Sequence, residues 1–241
     1  LCYQEIRGKN LSGEEILETI GAMAFSKKEG ETLKLGSFRY AALNDHPESA
    51  ICVKKQELSA YDPRGAYGMA LAYATSTRGA CHLRAYPISH EILRKPVVTD
   101  RFSFSGKARI VKLAEDINAV IDSLVACKFL FFAASLEEYA RALYGATGME
   151  TTAQDLMTIG ERIYYQERLI NAANGFGADD DDLPERFFTE PGTGRPDLEI
   201  SPLDRDRFLQ ARSDYYKIRG LTNNGRQKNE KCRELGLQWT D

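Results

Sequence analysis

Apolar residues recur at helical spacing along most of the chain. Between Ser12 and Met23, the residues Ile16, Ile20 and Met23 share one face. Ser12 can accept a hydrogen bond from the first turn, and Glu14 and Glu15 suit its positive end, so a helix is predicted there. A charged, glycine-containing stretch, Lys27 to Gly30, interrupts it; a short helix at Phe38 to Leu43 and a strand at Ala50 to Val53 follow. The strongest stripe is Ile110, Leu113, Ile117, Val120, Ile121 and Leu124. Leu136 to Tyr144 reads as a shorter helix ending at Gly145. Thr151 with Gln154 forms a predicted capping box for the next, whose stripe is Leu156, Ile159, Ile163 and Ile170. Ser201-Pro202 opens a further helix with Phe208, Leu209, Tyr215 and Tyr216 for packing and Gly220 beyond its end. A final helix, Asn229 to Leu235, stops at Gly236. Stripes of this kind are core faces. The expected fold is mainly α, an irregular multi-helix domain with little sheet and no internal repeat.

One segment departs from simple patterning. In Tyr61-Asp62-Pro63-Arg64-Gly65-Ala66-Tyr67-Gly68, Asp62 can cap a helix with Pro63 at its first position. Small and apolar residues at Met69, Ala70, Leu71, Ala72 and Ala74 then suit close packing, and Arg78-Gly79-Ala80 ends the helix. Beyond it, His82 and Arg84 would share one side if the chain were extended. By itself the histidine reads equally well as a buried structural residue or as a proton-transfer group.

Composition narrows the function classes. The chain has 241 residues, 43% hydrophobic and 28% charged, with a net charge of −3, so it can bury a real core but has no basic excess for nucleic acid. Its longest notable apolar run, Phe129 to Ala134, is far short of a membrane span. The N-terminus carries neither a signal peptide nor an initiating Met, which fits a chain that begins partway through a larger protein. Cys2, Cys52, Cys81, Cys127 and Cys232 are odd in number and widely spaced, which points to a reducing cytoplasm rather than a disulfide framework. An iron–sulfur cluster needs four thiolates, often three of them close together, so this chain cannot supply one alone. The acidic run Asp179 to Asp182 reads as a solvated loop, and Pro191 to Pro196 as a surface connection. Cys127, beside Phe129, Leu130, Phe131 and Phe132, reads first as a small buried hydrophobe.

The Tyr61–Gly68 segment and its continuation, Leu71-Ala72-Tyr73-Ala74-Thr75-Ser76-Thr77-Arg78-Gly79-Ala80-Cys81-His82-Leu83-Arg84, resemble the C-terminal region of the tungsten-containing aldehyde ferredoxin oxidoreductases. The similarity continues through Asp122 to Cys127, Leu183-Pro184-Glu185-Arg186-Phe187, and Tyr215-Tyr216-Lys217-Ile218-Arg219-Gly220 with Gly225. The resemblance implies a C-terminal part of a larger multidomain oxidoreductase. Residues 1–50 would be the tail of the middle helical domain, and residues 51–241 the last domain, forming one wall of the cofactor site.

The resemblance also assigns residues. Cys127 would be the fourth ligand of a [4Fe-4S] cluster, at the end of a D-x-x-G-L-C pattern whose Asp, here Asp122, contacts a pterin. Val125 and Ala126 replace the Gly and Leu of that pattern; a Gly would tolerate a left-handed turn there, whereas Val would not. The main chain of Ala126 could still meet the pterin. The metal would be tungsten, with molybdenum as the alternative, held by the dithiolenes of two pterins without a protein ligand. Arg78 and Arg84 would meet the pterin phosphates, or else form salt bridges. His82 would aid proton transfer as a small aldehyde becomes a carboxylic acid. Missing N-terminal domains, ferredoxin or another electron carrier, and a homo-oligomeric arrangement are the implied partners, and the chain would be inactive alone. The same cofactor could serve another substrate (an aromatic thioester or a sugar aldehyde), and a non-catalytic helical module that binds a partner is the reading from a different class.

Overall fold

The computed structural model describes residues 7–192 and 200–238. Its helices are α1 (Gly13–Ala24), α2 (Gly30–Leu33), α3 (Ser37–Leu43), α4 (Tyr67–Thr75), α5 (Ile88–Glu91), α6 (Lys107–Ser123), α7 (Leu136–Thr147), α8 (Ala153–Ala173), α9 (Arg186–Thr189), α10 (Arg205–Arg219) and α11 (Asn229–Glu234). Two residues each of β1 (Cys52–Val53) and β2 (Gln56–Glu57) pair antiparallel, so the fold is mainly helical as the patterning predicts.

Ser12 caps α1 in a full capping box with Glu15, as the sequence implies. Yet none of its residues is buried, and Leu17 and Ile20 remain more than half exposed. The capping boxes of α7 and α8 use Ser135 with Glu138 and Thr152 with Asp155. The second lies one residue after the predicted Thr151–Gln154 pair, because Asp155 is short enough to return to the Thr152 amide at 2.9 Å. Helix α7 runs through Gly145 and ends at Gly148, whose φ of 73° supplies the left-handed cap. Helix α10 begins at Arg205 under the Asp204 carboxylate rather than at Ser201-Pro202, and Gly220 ends it as expected. Asp62 caps a separate 3-10 turn, Pro63–Gly65, and α4 starts only at Tyr67 without a side-chain cap.

Four elements build the main core. Leu71 and Ala72 of α4, Val111 and Ala114 of α6, Tyr165 and Leu169 of α8, and Ala211 and Tyr215 of α10 form one buried cluster. Gly160 lets α8 approach α6, since a methyl group there would collide with the Asp116 carbonyl. The predicted stripes are only half right: Leu113 and Ile170 are exposed, while Glu115, Asp116 and Arg168 lie inside. Small residues on α6 and α4 draw the backbones together, and an ionic layer fills the space between them.

That layer is closed. Arg219 pairs with Asp116 and, at 2.6 Å, with Glu115, whose oxygens also accept from Tyr164 and Tyr215 at 2.7 Å each. Asp181 accepts from Arg168 at 2.7 Å and Tyr216 at 2.8 Å, and pairs with Lys54 at 2.6 Å. The acidic run is therefore not a solvated loop: Asp181 is wholly buried, Asp182 binds Arg205 at 2.6 Å, and the flanking cations hold the Asp181 carboxyl below its ordinary range despite burial. Most of the Pro191–Pro196 connection lies outside the described residues.

Candidate functional site

Helix α6 delivers the first part of the site. At its end the Val125 amide donates to Asp122 O at 3.1 Å and the Ala126 amide to Ile121 O at 3.1 Å, the paired bonds of a Schellman cap. Val125 takes the left-handed position with φ 54°, and its side chain stands 93% exposed. The expectation that Val would not accept this turn is thus corrected. The cap bonds and the apolar contact of Ala126 in the Ile121 cluster outweigh a backbone cost of about 1 kcal/mol. The next residue is Cys127, an exposed free thiol at the mouth of a 3-10 turn, Lys128–Phe132, and not a buried hydrophobe.

Asp122 organises the charges around it. One carboxylate oxygen lies 3.1 Å from Arg84 Nη1 and the other 2.6 Å from Lys128 Nζ, while the side chain stays 40% exposed. Arg84 is buried and is shared with Glu167, which also accepts from Thr77 Oγ1 at 2.6 Å. Its Nε has no hydrogen-bond partner among the described residues. Lys128 also donates to Asn118 O at 3.0 Å, and desolvation pulls its ammonium down from the usual lysine range. Arg78 is exposed, with Nη1 3.9 Å from the sulfur of half-buried Cys81, and no carboxylate in ion-pair range among the described residues.

His82 occupies a second, aromatic compartment. The segment from His82 to Ala85 is a turn, not extended, so His82 and Arg84 take different partners. The imidazole lies 5.3 Å from the Tyr61 ring and 5.6 Å from that of Tyr86, whose phenols bond to each other at 2.9 Å. Its Nδ1 is 2.9 Å from Ser59 Oγ, which is 3.0 Å from the Tyr73 phenol. Half-burial without a facing charge lowers its pKa from the ordinary value, so the ring is neutral at pH 7. Tyr86 also stacks against Phe132 at 5.3 Å, which ties this compartment to the turn that Cys127 opens.

His82, Arg84, Asp122, Ala126 and Cys127 thus belong to one contiguous region, with Arg78 at its exposed margin. His46 is exposed beside Glu48, and His90 bonds the Val97 carbonyl at 3.1 Å, consistent with structural or exposed roles. Sequence reasoning missed Ser59, Tyr73, Tyr86, Lys128 and Glu167, because nothing in local spacing brings them to this region. Among the described residues no group of three or more His, Cys, Asp or Glu could hold a metal ion. No helix there is long and apolar enough to cross a membrane.

Comparison with known proteins gives a consistent result. The family model described as aldehyde ferredoxin oxidoreductase, domains 2 & 3, matches residues 4–237. The tungsten-containing aldehyde ferredoxin oxidoreductase of Thermococcus kodakarensis is 40% identical over 220 residues, which are 90% of this chain and 36% of that protein. Its counterpart from Pyrococcus furiosus is 42% identical over 216 residues, 88% of this chain and 35% of that protein. The chain therefore spans about a third of the length of these relatives. The solved active site complex BamBC of benzoyl coenzyme A reductase, in complex with 1,5-dienoyl-CoA, superposes with a TM-score of 0.65 at 15% identity. It covers 93% of this chain and 39% of that one, a likeness of fold.

Proposed function

Because this chain belongs to the aldehyde ferredoxin oxidoreductase family, we propose that it is the C-terminal part of an enzyme that oxidises an aldehyde to a carboxylic acid. Electrons would leave through a [4Fe-4S] cluster to ferredoxin. The observation that carries the reading is the end of α6, where an exposed thiol follows a carboxylate braced by two cations. When bound, the tungstopterin supplies the two-electron chemistry and the cluster the route out.

The residues present fit one wall of such a site. Asp122 uses one position on each oxygen for Arg84 and Lys128, so two lone pairs remain for the N–H donors of a pterin. Cys127 offers one of four cluster ligands; the other three would come from sequence outside this chain. Arg84 is neutralised by Asp122 and Glu167, whereas Arg78 has no carboxylate in ion-pair range among the described residues, so Arg78 is the better partner for a pterin phosphate. Ala126 would contribute its carbonyl, since its N–H already belongs to the helix cap. Nδ1 of His82 is engaged by Ser59, which leaves Nε2 to serve the substrate.

The same reading places the boundary between the middle and last domains near residue 50, and the protein in the cytoplasm. Tyr40, Ala41 and Ala50 form a small core of their own, and the four described cysteines form no disulfide with one another, in support of each. The test is the metal content of the native protein, purified without oxygen with whatever remains bound. Tungsten or molybdenum with about four irons per metal is the expected outcome. Folded protein with no metal would sink the reading and favour a helical partner-binding module. Aldehyde oxidation by the 241-residue chain alone, with a viologen dye as acceptor, would contradict its dependence on further domains.

A further inference from the structure

If His82 serves the substrate through Nε2, as in the reading above, the hydrogen bonds behind the ring decide its protonation state. Nδ1 lies 2.9 Å from Ser59 Oγ, and Ser59 Oγ lies 3.0 Å from the Tyr73 phenol. Tyr73 is wholly buried, and desolvation pushes its phenol up to about 12, so it keeps its hydrogen near neutral pH. A buried hydroxyl hydrogen needs an acceptor, and among the described residues Ser59 Oγ is the phenol's hydrogen-bond partner. Tyr61, Asp62 and Cys81 act on the phenol only through space.

The polarity of the chain follows. Tyr73 donates to Ser59, and since the Ser59 hydroxyl has no hydrogen-bond partner besides Tyr73 and His82 among the described residues, its own hydrogen is directed at Nδ1. Nδ1 is therefore the accepting nitrogen, and the ring hydrogen sits on Nε2. The opposite order, Nδ1–H to Ser59 and Ser59 to Tyr73, would leave the buried phenol hydrogen without an acceptor. A relay that drew the phenol's proton to the ring would leave a tyrosinate and an imidazolium, disfavoured because the phenol, pushed up to about 12, holds its proton far more tightly than an imidazole shifted below its ordinary value. The chain holds a proton in place and does not conduct it.

We infer that Ser59 and Tyr73 are positioning residues that fix His82 as the neutral Nε2–H tautomer, so that it meets a substrate oxygen as a hydrogen-bond donor and not as a base. The flanking rings of Tyr61 and Tyr86 keep the imidazole plane in register with this chain. Proton acceptance in the oxidation then falls to a different group.

Nitrogen-15 labelling of histidine in the full 241-residue chain tests this. The chain contains only three histidines, and His82→Gln assigns the relevant signal by its loss. Long-range proton–nitrogen spectra at neutral pH are expected to show His82 with Nε2 protonated and Nδ1 bare. Ser59→Ala and Tyr73→Phe, each with unchanged circular dichroism, are expected to give mixed tautomers, and Ser59→Thr to restore the single one. Nδ1 protonated in the unmodified chain would overturn the inference, as would an unchanged tautomer in both Ser59→Ala and Tyr73→Phe. The readout needs no metal. Native protein without tungsten or molybdenum but with the expected tautomer would therefore sink the functional reading alone, and the reverse result would sink only this one.

Discussion

The middle and the end of α6 present carboxylates in opposite states. Glu115 and Asp116 are wholly buried, and Arg219, Tyr164 and Tyr215 occupy Glu115 while Arg219 and Lys112 pair with Asp116. Six residues beyond Asp116, Asp122 is partly exposed and retains spare acceptor capacity beside an open thiol. Paired buried charges brace the architecture, because removing one partner strands another away from the surface. Unsaturated charges at a surface gain little for the isolated chain, which accords with the cofactor contact proposed for them.

This contrast can be broken by mutation. Arg219→Met should have the largest effect, a loss of about 3 to 5 kcal/mol in urea unfolding, since it strands two buried carboxylates. Asp181→Asn should cost about 3 kcal/mol at neutral pH by leaving Arg168 and Lys54 without their counter-charge. The Asp181 carboxyl is held below its ordinary value, so its contribution is present above the unfolded pKa and is lost as pH falls through the folded one. The two proteins should therefore begin to converge in melting temperature as pH falls below about 4, and meet only once the buried carboxyl itself takes up a proton. Val125→Gly should stabilise by about 1 kcal/mol or less, because glycine relieves the left-handed backbone but loosens the unfolded chain. Cys127→Ala should change stability by under about 0.5 kcal/mol, while abolishing cluster iron in the complete enzyme. A Cys127→Ala loss as large as that of Arg219→Met would erase the distinction between the two ends of the helix.

Much of the helical frame was legible because its signals are local. The Ser12 cap and the Gly220 stop each follow from about one turn of sequence, and the course of α6 from the stripe that repeats along it. The errors arose where residues distant in sequence decide the outcome. Asp181 looked solvated until Arg168 and Lys54 enclosed it, and Leu113 was assigned a core face that Glu115 and Asp116 occupy. At the site, His82, Asp122 and Cys127 carried a recognisable pattern. Ser59 and Glu167 did not, since a serine and a glutamate acquire meaning only from what they face, and Tyr73 stood in the pattern with no role attached to it.

The openness of Cys127 also makes it a natural label. Of the four described cysteines, Cys232 is buried, Cys52 and Cys81 are half-covered, and Cys127 is exposed. An alkylating reagent would meet Cys127 first, and iron held by that sulfur would shield it. The mass added at one peptide thus becomes a count of iron-free molecules, and its absence a count of occupied ones, read in unpurified extract without an assay for turnover.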